Sequence, residues 1–176
     1  MKGYEKYQQW ERQIRQVSLP HWSELPKFDL YMDQVLAFLN GTLGALGLET
    51  VTAPMVNNYV KHKIIIAPVK KKYQTMHLVD LIMISLLKPM FSMETIRSGM
   101  DQVTAGDFPK QAYDNFIDAL NDSLAHLGED RKEPQSSNLN QKLMQVAVDA
   151  VVDSIQAKQL LSLIERPLRK IDKAKK

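Results

Sequence analysis

The chain has 176 residues, 44% of them hydrophobic, which is enough for one well-packed core. It has no cysteine, which excludes disulfide bonds, a thiol nucleophile and a cysteine-ligated zinc site. No run approaches the roughly 20 apolar residues of a membrane span, and the polar N-terminus lacks the pattern of a secretion signal. We therefore expect a cytoplasmic protein without membrane contact.

The net charge of +3 is distributed unevenly. The window from Thr50 to Val79 contains no Asp or Glu but five lysines, so its charge is +5 and the rest of the chain sums to 3 − 5 = −2. A window with cations only is the pattern expected of a surface that contacts phosphates. A solvated lysine cluster that only aids solubility is the alternative.

Two helices are predicted before this window. Apolar residues at helical spacing predict the first over Tyr4–Val17 and the second around Leu30–Leu39. A Pro-containing connector, Leu19–Lys27, separates them, and a glycine-bearing stretch, Gly41–Gly47, follows the second.

The window itself predicts a short helix and a hairpin. Thr52 is a candidate N-cap for a helix over residues 53–62, with Pro54 tolerated in the first turn. The β-branched run Ile64–Ile66 indicates a strand, and Val69–Tyr73 would form the return strand with three lysines. The expected fold class is mainly α: a winged helix-turn-helix head with a small β-hairpin wing over residues 64–73, followed by a helical C-terminal region.

Helices dominate the remaining sequence. The predicted elements are a helix over Met76–Leu87 capped by Thr75, a helix opened by Ser92, an amphipathic helix over Phe108–Leu127, a polar linker over Gly128–Ser137, a long helix from Asn138 to about Arg166, and a basic tail. We divide the chain into an N-terminal helix plus helix-turn-helix head (1–105), an amphipathic helix and linker (106–137), and a long helix with a basic tail (138–176).

The polar face of the short helix carries side chains suited to reading DNA. Asparagine pairs bidentately with the adenine edge in the major groove, and lysine reaches guanine or phosphate. A lysine-bearing wing beside such a helix would contact the DNA phosphates and so fix the position of the protein on the duplex, while side chains of the helix contact the bases. The polar face of any surface helix is more often simply solvated.

Residues 52–100 resemble the DNA-binding head of MerR-type regulators. The matching segments are Met55–Val60, Lys70–Tyr73, His77–Ile82 and Phe91–Ile96. Leu25–Val35, Met55–Lys61 and Pro68–Tyr73 also resemble an uncharacterised bacterial family, the domain of unknown function 1836, with a MerR-like fold. The resemblance covers roughly residues 8–105. It implies that Asn57, Asn58 and Lys61 face DNA, that Lys71 is the basic residue of the wing and that Tyr73 is the aromatic residue after it.

The chain departs from the MerR pattern in three places. The linker Asn40–Val51 is several residues too long, Asn58-Tyr59 replaces an arginine-tyrosine pair, and His62-Lys63 stands where a glycine is expected.

The sequence thus predicts a sequence-specific DNA-binding transcriptional regulator. The predicted contact residues are Asn57, Asn58, Tyr59, Lys61, His62, Lys63, Lys70, Lys71, Lys72 and Tyr73. The alternative is a helical protein–protein interaction module that does not bind DNA.

No enzyme, metal site or cofactor is predicted. The four histidines are scattered without ligand spacing, and no glycine-rich loop follows a strand and precedes a helix. Double-stranded DNA is the expected partner, and no effector is identifiable. We expect Leu139–Ile164 to contribute to a homodimer, with folding back onto its own head as the alternative.

Overall fold

The computed structural model describes residues 2–130 and 138–164. Seven α-helices lie in these residues: α1 (Lys2–Ile14), α2 (Met32–Leu43), α3 (Ala53–Lys61), α4 (Thr75–Leu87), α5 (Met93–Thr104), α6 (Pro109–Ala125) and α7 (Leu139–Leu163). Short 3-10 turns lie at Trp22–Glu24 and Gly44–Leu46. No helix in the described part of the chain is long and apolar enough to cross a membrane.

Helix α4 is the centre of the core. Ten of its thirteen residues are buried, because apolar side chains occupy nearly its whole circumference. It contacts α2 on one side and α5 and α7 on the other. Lys88 and Pro89 follow it, and the prediction for this helix differs from the structure only at its start, where Gln74 rather than Thr75 occupies the N-cap. The Thr75 hydroxyl instead donates to the Pro26 carbonyl at 2.8 Å.

The C-terminal helix folds back onto its own chain. Helix α7 packs along α6 and also contacts α1, α4 and α5. It buries Val148, Val151, Val152 and Ile155, which recur at helical spacing and fill the space between these helices. The folded-back arrangement is therefore present within one chain, and the predicted homodimer stays a prediction.

One continuous core holds these elements together. It includes Ile14 of α1, Leu39 of α2, Ile82 of α4, Leu120 of α6 and Val152 of α7. Part of the predicted linker (131–137) and the basic tail (165–176) lie outside the described residues.

The prediction of a β-hairpin wing was wrong, although the prediction of a mainly α protein agrees with the structure. The described residues form no β-strand and only two isolated bridges, Leu30 with Tyr73 and Val69 with Lys72. Ile64–Ile66 does not form a strand because the amides of Ile64 and Ile65 both donate to the Tyr59 carbonyl and close the end of α3. The β-branched run is a helix-terminating segment, and the lysines occupy a tight turn.

Candidate nucleic-acid interface

Helix α3 has one buried face and one solvent-exposed face. Thr52 occupies the N-cap without a side-chain hydrogen bond, and Pro54 lies in the first turn, where no amide donor is needed. Val56 and Tyr59 are buried at 0% and 5% exposure. Asn57, Asn58 and Lys61 lie on the opposite side and are exposed. The predicted division of this helix into two faces is therefore observed.

The end of α3 is a left-handed helix cap with a lysine where glycine is usual. The Ile64 amide donates to the Tyr59 carbonyl at 2.8 Å, and the Lys63 amide donates to the Val60 carbonyl at 3.0 Å. These are the two bonds of a Schellman motif. Lys63 has φ 56°, a conformation that costs a non-glycine residue about 1 kcal/mol. Lys63 is exposed, so its charge faces solvent.

His62 is held against the last turn of α3. Its Nδ1 atom lies 2.9 Å from the Asn58 carbonyl, to which it donates as Nδ1–H. The imidazole therefore satisfies one of the carbonyls that the end of a helix leaves open. His62 remains exposed and adds a polar ring beside Lys61 and Lys63.

The other three lysines form a tight turn. The Lys72 amide donates to the Val69 carbonyl at 2.9 Å. Lys70 and Lys71, the two central residues, have φ of 51° and 62°, as in a type I′ turn. Both are exposed, whereas Lys72 is half-buried and its Nζ lies 5.9 Å from the centre of the Tyr31 ring. The turn therefore presents two fully solvated ammonium groups and a third one over an aromatic face.

The five lysines of this surface are free of carboxylate partners. Lys61, Lys63, Lys70, Lys71 and Lys72 form no ion pair within the described residues. Two acidic residues of α5, Glu94 and Asp101, line a shallow depression together with His62, Lys63 and Ile64. The Asp101 carboxylate is engaged by Arg97 at 2.6 Å. The surface is thus cationic over α3 and the turn and becomes mixed toward α5. We call these five lysines together with Asn57, Asn58 and His62 the lysine surface.

Two of the predicted contact residues are core residues. Tyr59 and Tyr73 are 5% and 4% exposed. The Tyr59 ring lies 5.8 Å from the Nζ of Lys88, and burial raises the pKa of the Tyr73 hydroxyl. Their rings support α3 and the turn from beneath, so we leave both tyrosines out of the lysine surface. The other eight predicted residues lie at the surface.

Sequence reasoning missed Arg97, which lies behind the lysine surface. Its Nη1 atom is 3.5 Å from the Ile64 carbonyl and 3.7 Å from Oδ2 of Asp80. Burial raises the pKa of the Asp80 carboxyl, and the Arg97 guanidinium opposes that shift. Arg97 follows Ile64 by 33 residues, so no local spacing indicated this contact.

The fold and this surface define a helical protein that presents a lysine-rich face on and beside a short helix. The chain belongs to the family described as Domain of unknown function (DUF1836), whose model matches residues 20–116, more than half of the chain. No curated protein and no solved structure shows detectable similarity to it.

Proposed function

We propose that this protein is a sequence-specific DNA-binding transcriptional regulator, with α3 as its recognition helix and the turn at Val69–Lys72 as a phosphate clamp. A bacterial origin and a cytoplasmic location belong to the same proposal. The resemblance to MerR-type heads supports the role of α3 alone, because the β-hairpin is not part of this fold.

One observation carries the proposal. The three non-glycine residues with positive φ in the described chain are Lys63, Lys70 and Lys71, and all three lie on the lysine surface. Glycine or asparagine would occupy these positions with less strain. Residues that keep a costly backbone conformation concentrate at functional sites. Lysine at all three positions therefore indicates a requirement for charge at this surface.

The dimensions of the surface suit duplex DNA. Helix α3 has the diameter of any α-helix, about 10–12 Å with its side chains, which fits a major groove about 12 Å wide. Lys70 follows Lys63 by seven positions, so their Cα atoms lie within about 25 Å of each other. That separation is less than one turn of the duplex, about 34 Å. The helix end and the turn can therefore contact phosphates that flank a single site.

Exposed apolar residues favour a second candidate, the protein-interaction module. Ile66 and Val69 are 71% and 69% exposed and lie between the end of α3 and the lysine turn. Exposed apolar side chains of this size are found at protein interfaces. A protein partner would be held mainly by apolar burial and would respond weakly to salt, whereas DNA binding would respond strongly.

The proposal is tested with two double charge reversals of equal net charge. Lys70→Glu/Lys71→Glu changes the turn, and Lys2→Glu/Lys6→Glu changes exposed lysines of α1 by the same amount. Binding to a fluorescent random-sequence duplex is measured by anisotropy, and folding is checked by circular dichroism. We expect the turn variant to lose at least about tenfold in affinity, with the α1 variant close to wild type. Equal affinities of the two variants would contradict the proposal.

A further inference from the structure

A cavity of about 200 Å³ lies between α4, α5, α6 and α7, away from the lysine surface. Its wall is mostly apolar and includes Met83, Met100, Phe116 and Met144. Methionine side chains adapt to the shape of what they contact, and so suit a binding site better than a fixed core.

The occupant of this cavity must be small. Val79, Ile96, Tyr113 and Phe116 line it, yet each is at most 5% exposed. A protein surface cannot reach these side chains at the floor of the cavity, whereas Met76 and Leu143, which also line it, are 39% and 45% exposed. The Tyr113 hydroxyl donates to the Pro20 carbonyl at 2.9 Å, so its hydrogen-bonding capacity is used outside the cavity. An apolar protein cavity of ~150 Å³ binds benzene, so this larger and partly open one has room for a substituted benzene.

The charged side chains of the cavity wall are Asp80 and Arg97. Asp80 is 8% exposed, and its ion pair with Arg97 is long, at 3.7 Å. The short contacts of Arg97, 2.6 and 2.9 Å, go to Asp101 instead. One guanidinium therefore faces two carboxylates, and its short contacts leave Asp80 with the longer one. A buried carboxylate with one distant partner is stabilised by a second cation that can donate hydrogen bonds to it.

We propose that this cavity binds a small apolar molecule that carries one ammonium group. The apolar body lies against Met83, Met100 and Phe116, and the ammonium group pairs with the Asp80 carboxylate. An anionic ligand of the same size is disfavoured, because the Asp80 carboxylate would repel it and Arg97 is already engaged by Asp101.

Arg97 also connects this cavity to the lysine surface. Its Nη1 lies 3.5 Å from the Ile64 carbonyl, and the Ile64 amide closes the end of α3. A ligand ammonium at Asp80 competes with Arg97 for the carboxylate and so changes the position of the guanidinium under residues 62–64. Ligand binding would then alter the affinity for DNA. This second step rests on the proposed function, whereas ligand binding itself does not.

Two probes of equal size test the site by calorimetry on the full-length protein: 3-phenylpropylamine and the neutral butylbenzene. The structure predicts one amine bound per chain, with the neutral probe at least tenfold weaker. Asp80→Asn should remove that preference. Failure of the amine to bind, or equal affinity of the two probes for the wild-type protein, would overturn the proposal.

A variant that fills the cavity tests whether the amine binds there. Gly99 of α5 lines the cavity, and a Cβ added there meets no atom within 4 Å. Gly99→Leu should therefore fold and abolish amine binding. Gly41→Leu is the matched control, because Gly41 is equally unobstructed but lies outside the cavity. Unchanged amine binding by Gly99→Leu would place the ligand elsewhere and overturn the proposal.

The effect of ligand binding on the affinity for DNA is measured in a separate experiment. Saturating amine should change the duplex affinity of the wild-type protein at least threefold and leave that of Gly99→Leu unchanged. An unchanged wild-type affinity would overturn the coupling. If the protein bound no DNA, the proposed function would fail, while calorimetry would still decide the ligand site.

Discussion

Leu30 and Tyr73 form a reciprocal pair of backbone hydrogen bonds, in which each amide donates to the other carbonyl at 2.8 Å. This pair joins the residues just before α2 to the residue just after the lysine turn. The buried Tyr73 ring also contacts His77 of α4 edge-on, with ring centres 5.4 Å apart. The lysine turn is therefore fixed to two helices at its base, although no strand among the described residues supports it.

Replacing the two central residues of the turn should raise the stability of the protein and weaken its binding to DNA. Lys70→Asn/Lys71→Gly introduces the residues that a type I′ turn prefers and relieves two positive-φ lysines. We expect the free energy of unfolding to rise by about 1 kcal/mol, with weaker binding to duplex DNA. Urea denaturation and anisotropy measure the two effects. If the variant were less stable than wild type, Lys70 and Lys71 would stabilise the turn themselves. Their positive φ would then be no sign of a functional requirement for charge.

Most of the fold follows from patterns in the sequence. The amphipathic helix predicted over Phe108–Leu127 is observed as α6, Pro109–Ala125, because its apolar positions recur at helical spacing. Ser92 caps α5 as predicted, and its hydroxyl accepts the Thr95 amide at 3.1 Å. Such features depend on neighbours within four residues, which is why local spacing reveals them.

The errors arose where contacts that regular apolar spacing does not reveal decide the structure. Ile64–Ile66 has strand propensity, but hydrogen bonds to the Tyr59 carbonyl keep its first two residues at the end of α3. Leu30 was assigned to the second helix and instead pairs with Tyr73. The Asp80–Arg97 contact and its cavity join residues of different helices, so no pattern within either helix could indicate them.

Asn57 should contribute to sequence preference more than to general affinity. Asn57→Ala would remove a side chain able to pair with an adenine edge, costing about 1–3 kcal/mol of discrimination. A preferred duplex is first selected from a random library, and the affinities for it and for single-base variants are then compared. If Asn57→Ala left the ranking of these duplexes unchanged, Asn57 would not be a residue that contacts bases.

The contact between His21 and α6 should make stability depend on pH. Hydrogen bonds to Asp118 and Glu24 raise the pKa of His21 above 6.5. The stabilisation is thus fully present below pH 6.5 and is lost as the pH rises through the higher pKa of the folded state. Relative to His21→Gln, the wild-type protein should lose stability as the pH rises above 6.5 and through the higher pKa of the folded state, by less than about 1 kcal/mol because the side chain is 37% exposed. Parallel pH profiles of wild type and variant would contradict this assignment.

Helix α7 has an apolar stripe that the other described residues leave exposed. Leu139, Leu143 and Val146 are 85%, 45% and 50% exposed and follow a spacing of four and three residues. Two copies of such a stripe can pair across a twofold axis, which would place two recognition helices on neighbouring half-sites. We expect a dimer by light scattering at micromolar concentration and a monomer for Val146→Lys. A monomeric wild-type protein would exclude this interface.

The most direct test of the lysine surface is the salt dependence of duplex binding by the wild-type protein. Five lysines that each neutralise one phosphate predict that the logarithm of the association constant falls with the logarithm of salt concentration, with a slope of about −4.5 per protomer. Lys70→Glu/Lys71→Glu should reduce the magnitude of this slope by about 2. A wild-type slope close to zero, or no duplex binding at about 50 mM salt, would contradict the account.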